Sequence, residues 1–247
     1  MTAQVTELPQ PLEELVDALA AMPGAVAVVL GGSRAAGGND AASDWDLGVY
    51  YRGSIDTGAL AERGTVHPPG SWGRIMHGGA WLVCAGMKVD VLLRDLDVVE
   101  HWSAQAVEGR YEVDGLLGYL AGIPTYSLLA ERAVARVLRG ALAPAAPFPA
   151  RLAELAPPRW RFHAQLSLAH ARMRAARQDA AGTLGHAARA ALEHAHALLC
   201  ERRTWTLNEK QLLERAGLVE VQALFAGGPG PALGAWLDAL ELALPPR

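Results

Sequence analysis

The chain has 247 residues, 51% of them apolar, enough to bury the core of one large domain or two modest ones. Its 22 basic and 26 acidic residues are interspersed and sum to a net charge of −4, which argues against a protein held on nucleic acid by a broad basic face. The opening MTAQVTELPQPLEELVDAL lacks a basic n-region before an apolar h-region, and no stretch reaches the ~20 apolar residues of a membrane span. Cys84 and Cys200 each sit in an apolar run and read as small buried hydrophobes, so a reducing, cytoplasmic setting is expected.

From the N-terminus, QPLEELVDALAAM (10–22) places Leu12, Leu15, Val16 and Leu19 at three- and four-residue spacing, which predicts a short amphipathic helix ending near Pro23-Gly24. AVAVVL (25–30), an apolar run between glycines, reads as a strand buried on both faces. DLGVYY (46–51) is a second strand. A helix over 57–63 and a loop rich in glycine and proline, HPPGSWGRIMHGGA, separate it from AWLVCA (80–85) and KVDVLL (88–93), two strands joined by a tight turn at Gly86. From about residue 95 the texture is helical: DLDVVEHWSAQAVE, then YSLLAERAVARVLRG, stopping at Gly140. The proline-rich APAAPFPA (143–150) is the linker candidate. Beyond it PRWRFHAQLSLAHARMRAARQ, TLGHAARAALEHAHALLCERR, NEKQLLERAG and PALGAWLDALELAL predict further helices. The expected fold is α+β: a small mixed β-sheet domain flanked by helices over 1–142, then a C-terminal α-helical bundle over 148–247.

The chemistry concentrates in GGSRAAGGNDAASDWD, residues 31–46. Alternation along a strand sends Asp44 and Asp46 to one side and Trp45 into the core. Two like charges so close repel unless a divalent cation shares them, and magnesium suits a few carboxylates completed by water and phosphate oxygens. Asp90, in KVDVLL, is a third acid that a neighbouring strand could bring alongside, and three acids make room for two magnesium ions. Such a site would position a nucleoside triphosphate and stabilise departing pyrophosphate. Gly31-Gly32-Ser33 directly follows the first strand. Its glycines let backbone approach phosphate, and free amides with the serine hydroxyl donate to it.

Leu30-Gly31-Gly32-Ser33, ten residues, then Asp44-Trp45-Asp46-Leu47, with Asp90 on a later strand, resembles the signature of the nucleotidyltransferase superfamily typified by DNA polymerase β and kanamycin nucleotidyltransferase. The resemblance covers about the first 95 residues. It implies that Gly32 and Ser33 hold nucleotide phosphates, that Asp44 and Asp46 bind magnesium, and that Asp90 is a third metal ligand or the base for the acceptor hydroxyl. SDWDLGVYYRG, the glycine-rich segment before GGAWL, VEGRYEV and LNEK are similar to bacterial stand-alone nucleotidyltransferase-domain proteins, whose broader relatives include antibiotic-modifying enzymes. In minimal members an arginine-glycine often follows the serine turn; here Arg34 is followed by Ala35-Ala36-Gly37, and Arg34 is carried as a phosphate-binding candidate.

The implied activity is transfer of a nucleoside monophosphate from an NTP, ATP among them, to a hydroxyl of a small molecule such as an aminoglycoside-like metabolite. Many relatives complete the cleft as dimers, so a homodimer is expected, with no membrane and no extended nucleic-acid surface. The rival readings are a protein-modifying enzyme that adds AMP, of toxin–antitoxin type, and a non-catalytic nucleotide-binding scaffold. Lys210, in TLNEKQLL at a predicted helix start with Asn208 as its cap, is either a triphosphate ligand or a solvated surface lysine. Glu131 is either a general base or an exposed helix position. The eight histidines show no zinc spacing, and His194 and His196 point different ways on one helix. Trp81 and most other tryptophans read as core or interface fillers; Trp72, in the glycine- and proline-rich loop, is set to border an acceptor site.

Overall fold

The computed structural model describes residues 8–35 and 44–245. The return loop expected over 36–43 and the side chain of Ser33 lie outside the described residues. In chain order the elements are α1 (Gln10–Ala20), β1 (Ala25–Leu30), α2 (Gly32–Ala35), β2 (Trp45–Tyr51), α3 (Gly58–Ala61), β3 (Gly64–His67), β4 (Gly78–Cys84), β5 (Met87–Asp95) and α4 (Leu96–Val107). They continue with β6 (Val113–Asp114), β7 (Ile123–Pro124), α5 (Ser127–Val134), β8 (Arg136–Gly140), α6 (Ala150–Ala175), α7 (Ala180–Glu201), α8 (Leu212–Arg215), α9 (Val219–Gly227) and α10 (Leu233–Ala243). The fold is α+β, with a mixed sheet and a helical C-terminal region. Among the described residues no helix is long and apolar enough to cross a membrane.

The chain divides into two compact units, one of residues 1–103 and 128–146, the other of 104–127 and 147–247. The second boundary falls inside the proline-rich linker, but the expected division into 1–142 and 148–247 needs one correction: residues 104–127 group with the helical half.

The first unit is built on a six-stranded sheet of order β3-β4-β5-β2-β1-β8. Its central pair, β2 and β5, is parallel, and the other neighbours are antiparallel. Alternation decides what each face carries. Trp45, Leu47, Val49 and Tyr51 of β2 and Val89, Val91 and Leu93 of β5 enter one core with Leu12, Leu15, Val16 and Leu19 of α1. Each fully buried side chain of this kind contributes about 1.5–3 kcal/mol. The intervening residues, Asp46, Gly48 and Tyr50 on β2 and Asp90, Leu92 and Arg94 on β5, therefore take the opposite face. A two-residue turn, Ala85-Gly86, joins β4 to β5, as the sequence predicts.

Two differences from expectation lie in this unit. ARVLRG does not continue a helix to Gly140. Its residues 136–140 form β8, paired antiparallel to β1, which would otherwise leave a row of backbone donors and acceptors open. The helical period fits this stretch, but Leu138 packs against the sheet's core and the ladder wins. The second is β3, a short strand inside the loop-like region, paired with β4.

In the second unit α6 and α7 pack along their lengths through small residues, Ala171, Ala175, Ala187, Ala191 and Ala195, which let the two helices approach closely. Asp179 caps α7 by accepting from the Gly182 amide at 2.9 Å. Helix α6 begins at Ala150 and runs through Pro157 and Pro158, where the pattern predicts a start at Pro158. The carbonyls those prolines leave unbonded belong to Ala153 and Glu154, at partly or fully exposed positions that water reaches. Segment 104–127 is held by aromatic contacts: Tyr111 stacks on Trp160 at 5.8 Å, and the Trp160 indole donates to the Tyr126 hydroxyl at 3.0 Å.

Candidate active site

The site starts where β1 ends. The Gly31 amide donates to the Asp46 carbonyl at 2.8 Å, carrying the β1–β2 ladder one residue past the strand, and the chain then turns into α2. Gly32 has φ 61°, in the left-handed region, and a Cβ there would overlap the Asp46 carboxylate. Only glycine serves at this position, because both the backbone conformation and the space forbid a side chain. The glycine pair is thus fitted against Asp46 itself.

Asp46 and Asp90 are direct partners in the parallel register of β2 and β5. Both are half-buried. Asp44 is exposed and precedes β2, so strand alternation does not fix its direction. Trp45 points into the core, as expected. Among the described residues no group of three His, Cys, Asp or Glu side chains is gathered closely enough to hold a metal ion. Two of the three acids are therefore in register, and the third lies just ahead of its strand. The donor set still fits magnesium, which takes one or two carboxylates and fills its remaining positions with water and phosphate oxygens.

Arg34 has work of its own. Its guanidinium lies 4.2 Å from the centre of the Trp45 ring, and its Nε donates to the Asp44 carbonyl at 3.3 Å. These contacts tie α2 to the start of β2 and so steady the approach to the acids.

Further along the same face, Arg94 and Glu131 form a bidentate pair, Nε to Oε2 at 2.6 Å and Nη2 to Oε1 at 2.8 Å. Arg94 is 1% exposed and Glu131 19%. Arg94 Nη1 also donates to the carbonyls of Met76 at 2.9 Å and Leu93 at 3.0 Å. The exposed position considered for Glu131 does not hold: its carboxylate is part-buried and paired with a buried arginine. Burial beside Glu131 pushes the Tyr50 phenol well above its usual range, so it stays protonated.

Lys210 belongs to the helical unit and is exposed. The LNEK segment is a turn, not a helix start: Asn208 Oδ1 accepts from the Lys210 amide at 3.0 Å, and Gln211, at φ 51°, precedes α8, which begins at Leu212. Glu209 accepts from the amides of Leu120 and Ala121, each at 2.7 Å, which accounts for the segment within its own unit.

Sequence reasoning missed Trp81 and Lys88. Trp81 is the antiparallel partner of Asp90 and is 53% exposed, not a core filler. A lateral row thus crosses the sheet: Trp81, Asp90, Asp46, Gly31. Lys88, exposed, falls on the same face as Asp90 two residues away. The signal was the alternation in AWLVC and KVDVL, where Ala80, Leu82, Val89 and Val91 claim the core and leave Trp81, Lys88 and Asp90 to the other side.

No protein-family model matches the chain, and no curated protein matches it. Among solved structures, the chain is similar to the crystal structure of a nucleotidyltransferase-like protein from Exiguobacterium sibiricum, with a TM-score of 0.46 and 13% identity over 95% of this chain and 73% of the other.

Proposed function

We propose that the chain is a nucleotidyltransferase that moves a nucleoside monophosphate from an NTP to the hydroxyl of a small-molecule acceptor. One observation carries the reading: two half-buried carboxylates, Asp46 and Asp90, stand in register beside a glycine turn whose Gly32 is fitted against one of them. A magnesium ion shared by carboxylates held side by side offsets their mutual repulsion, and a glycine turn lets backbone amides approach a phosphate.

Asp46 and Asp90 would hold one magnesium ion between them, with water and phosphate oxygens filling its other positions. Magnesium bound there neutralises charge on the triphosphate and lowers the pKa of the acceptor hydroxyl. The backbone amides of Gly32 and Ser33 bind and orient the phosphates, and Arg34 braces the turn against Trp45. Lys88, on the acid-bearing face, offers a positive charge to the departing pyrophosphate. The acceptor oxygen forms a bond to the α-phosphorus while the bridging α–β P–O bond breaks. Pyrophosphate leaves with that electron pair, and the hydroxyl proton passes to the Asp90 carboxylate.

Incubation with magnesium, each NTP labelled at the α-phosphate and a panel of hydroxylated metabolites tests this. Label should move to an acceptor with release of pyrophosphate, and Asp46→Asn and Asp90→Asn should each abolish it. Transfer that survives both substitutions would remove the carboxylate pair from the reaction.

A further inference from the structure

The acid-bearing face continues past Asp90 into an aromatic cluster that neither the nucleotide nor the core explains. Trp81 is 53% exposed, while its strand neighbours Ala80 and Leu82 are buried. A ring of that size offers a broad apolar face to solvent. Trp81 is also fixed in place. The edge of His67 meets it with ring centres 4.3 Å apart and planes at 69°, and Trp72 lies 5.9 Å away at 33°. Trp72 and His67 are themselves 4.9 Å apart.

Trp72 reaches this position only because residue 79 is glycine: a Cβ there would come within 2.8 Å of two Trp72 ring carbons. Within the cluster, His67 Nε2 is shielded from solvent and has no hydrogen-bond partner among the described residues. Held rings and a glycine that makes room for one of them form a prepared surface.

Its place in the sheet says what it takes. The lateral order is glycine turn, Asp46, Asp90, Trp81, so the cluster lies on the far side of Asp90 from the phosphate end. Directly opposed residues on neighbouring antiparallel strands have Cβ atoms about 4.5–5.5 Å apart. A ring stacked on Trp81 therefore carries its own substituents to the Asp90 carboxylate.

We infer that Trp81, braced by Trp72 and His67, is the acceptor shelf: it binds a hydroxyl-bearing ring by its flat apolar face and presents a ring hydroxyl to Asp90. The inference rests on the nucleotidyltransferase reading for the use made of the hydroxyl, though not for the binding itself. The shared chemistry, a flat apolar face edged by hydroxyls, occurs in carbohydrate and cyclitol rings and in nucleosides. Because Asp90 is one cross-strand step from Trp81, the ring that stacks is the ring that reacts, which favours the saturated polyol over a nucleoside held by its base.

The test observes the tryptophan indole N–H resonances of the full chain by NMR, without nucleotide or magnesium, during titration with methyl β-glucopyranoside, myo-inositol and adenosine in separate arms. The Trp81 resonance is assigned by its absence in Trp81→Ala. A saturable shift of that resonance is expected with a polyol ring, and Trp81→Phe should weaken binding by about tenfold or less, as a smaller ring on the same shelf would. A shift with adenosine alone would assign the shelf to a nucleoside and overturn the preference for a polyol. No saturable shift in any arm, or equal binding by a Trp81→Ala chain followed at Trp72, overturns the shelf. A parallel titration with magnesium-ATP separates the two readings. Ring binding without nucleotide binding sinks the transferase and leaves the shelf, and the reverse sinks only the shelf.

Discussion

Asp46 and Asp90 occupy paired positions of two parallel strands, with their side chains on the face opposite the core. The strands that carry them are clamped from the other face by Leu47, Val49, Val89 and Val91, all buried. The acids are therefore placed by the packing of their neighbours, and replacing either by asparagine should leave the fold unchanged. With one charge removed, transfer should fall by at least about a hundredfold, the order seen when one preorganised electrostatic group is lost. Circular dichroism and thermal melting beside the transfer assay check both halves.

Gly32→Ala should damage fold and site together. The substitution forces a Cβ into the Asp46 carboxylate and asks alanine to hold φ 61°. The backbone term alone costs about 1 kcal/mol, and Asp46 must also swing away. A lower melting temperature with weakened magnesium-NTP binding is expected. An unchanged melting temperature would mean that the glycine turn is not fitted to Asp46.

Arg94 and Glu131 should prove structural. Glu131→Gln leaves a 1%-exposed guanidinium without its countercharge and should cost about 3 kcal/mol or more in urea unfolding. Stability loss with kcat preserved at temperatures where the variant is folded confirms a bracing role. Loss of kcat with stability intact would return Glu131 to the chemistry.

The helical unit carries an acid sensitivity. His196 is buried, stacks on Trp160 with ring centres 4.4 Å apart and planes 11° apart, and neither of its ring nitrogens has a hydrogen-bond partner among the described residues. Burial pushes its pKa down to about 3, from 6.5. Its folded pKa lies below its unfolded one, so between those values the unfolded chain binds a proton that the folded chain refuses. Stability is then full above about pH 6.5 and falls as pH drops toward 3, by up to about 1.4 kcal/mol per pH unit from this group. Burial also lowers His194 and His163, which act in the same direction. His196→Phe keeps an aromatic ring against Trp160 and should flatten the acid limb. Urea midpoints at pH 7 and pH 4.5 measure this, and an unaltered difference between them would contradict it.

Much of this was legible in the sequence because alternation is a local property. DLGVYY and KVDVLL show by alternation which residues a sheet buries, and so place Asp46 and Asp90 away from the core before any pairing is known. The pairing itself was not legible. That β2 and β5 run parallel and in register depends on contacts between residues more than forty positions apart. The same limit hid β8, since RVLRG satisfies a helical period as readily as a strand and only the open edge of β1 decides between them. It also hid Glu131, a helix residue whose partner Arg94 lies on β5, and segment 104–127, which is claimed by Trp160 of α6. Trp81 was misread for a different reason: a large aromatic is usually buried, and its exposure becomes informative only once its neighbour is known to be Asp90.

The central claim is that Asp46 and Asp90 together receive a magnesium nucleotide. Calorimetric titration of the full chain with magnesium-ATP, and in turn with the other three magnesium-NTPs, tests it most directly, with calcium-free EDTA buffer as the metal-free arm. The account predicts saturable binding of at least one nucleotide, dependent on magnesium and weakened by about tenfold or more in both Asp46→Asn and Asp90→Asn, a loss of about 1.4 kcal/mol. Binding of equal strength in the two variants, or no binding of any NTP by the folded wild-type chain, would contradict it.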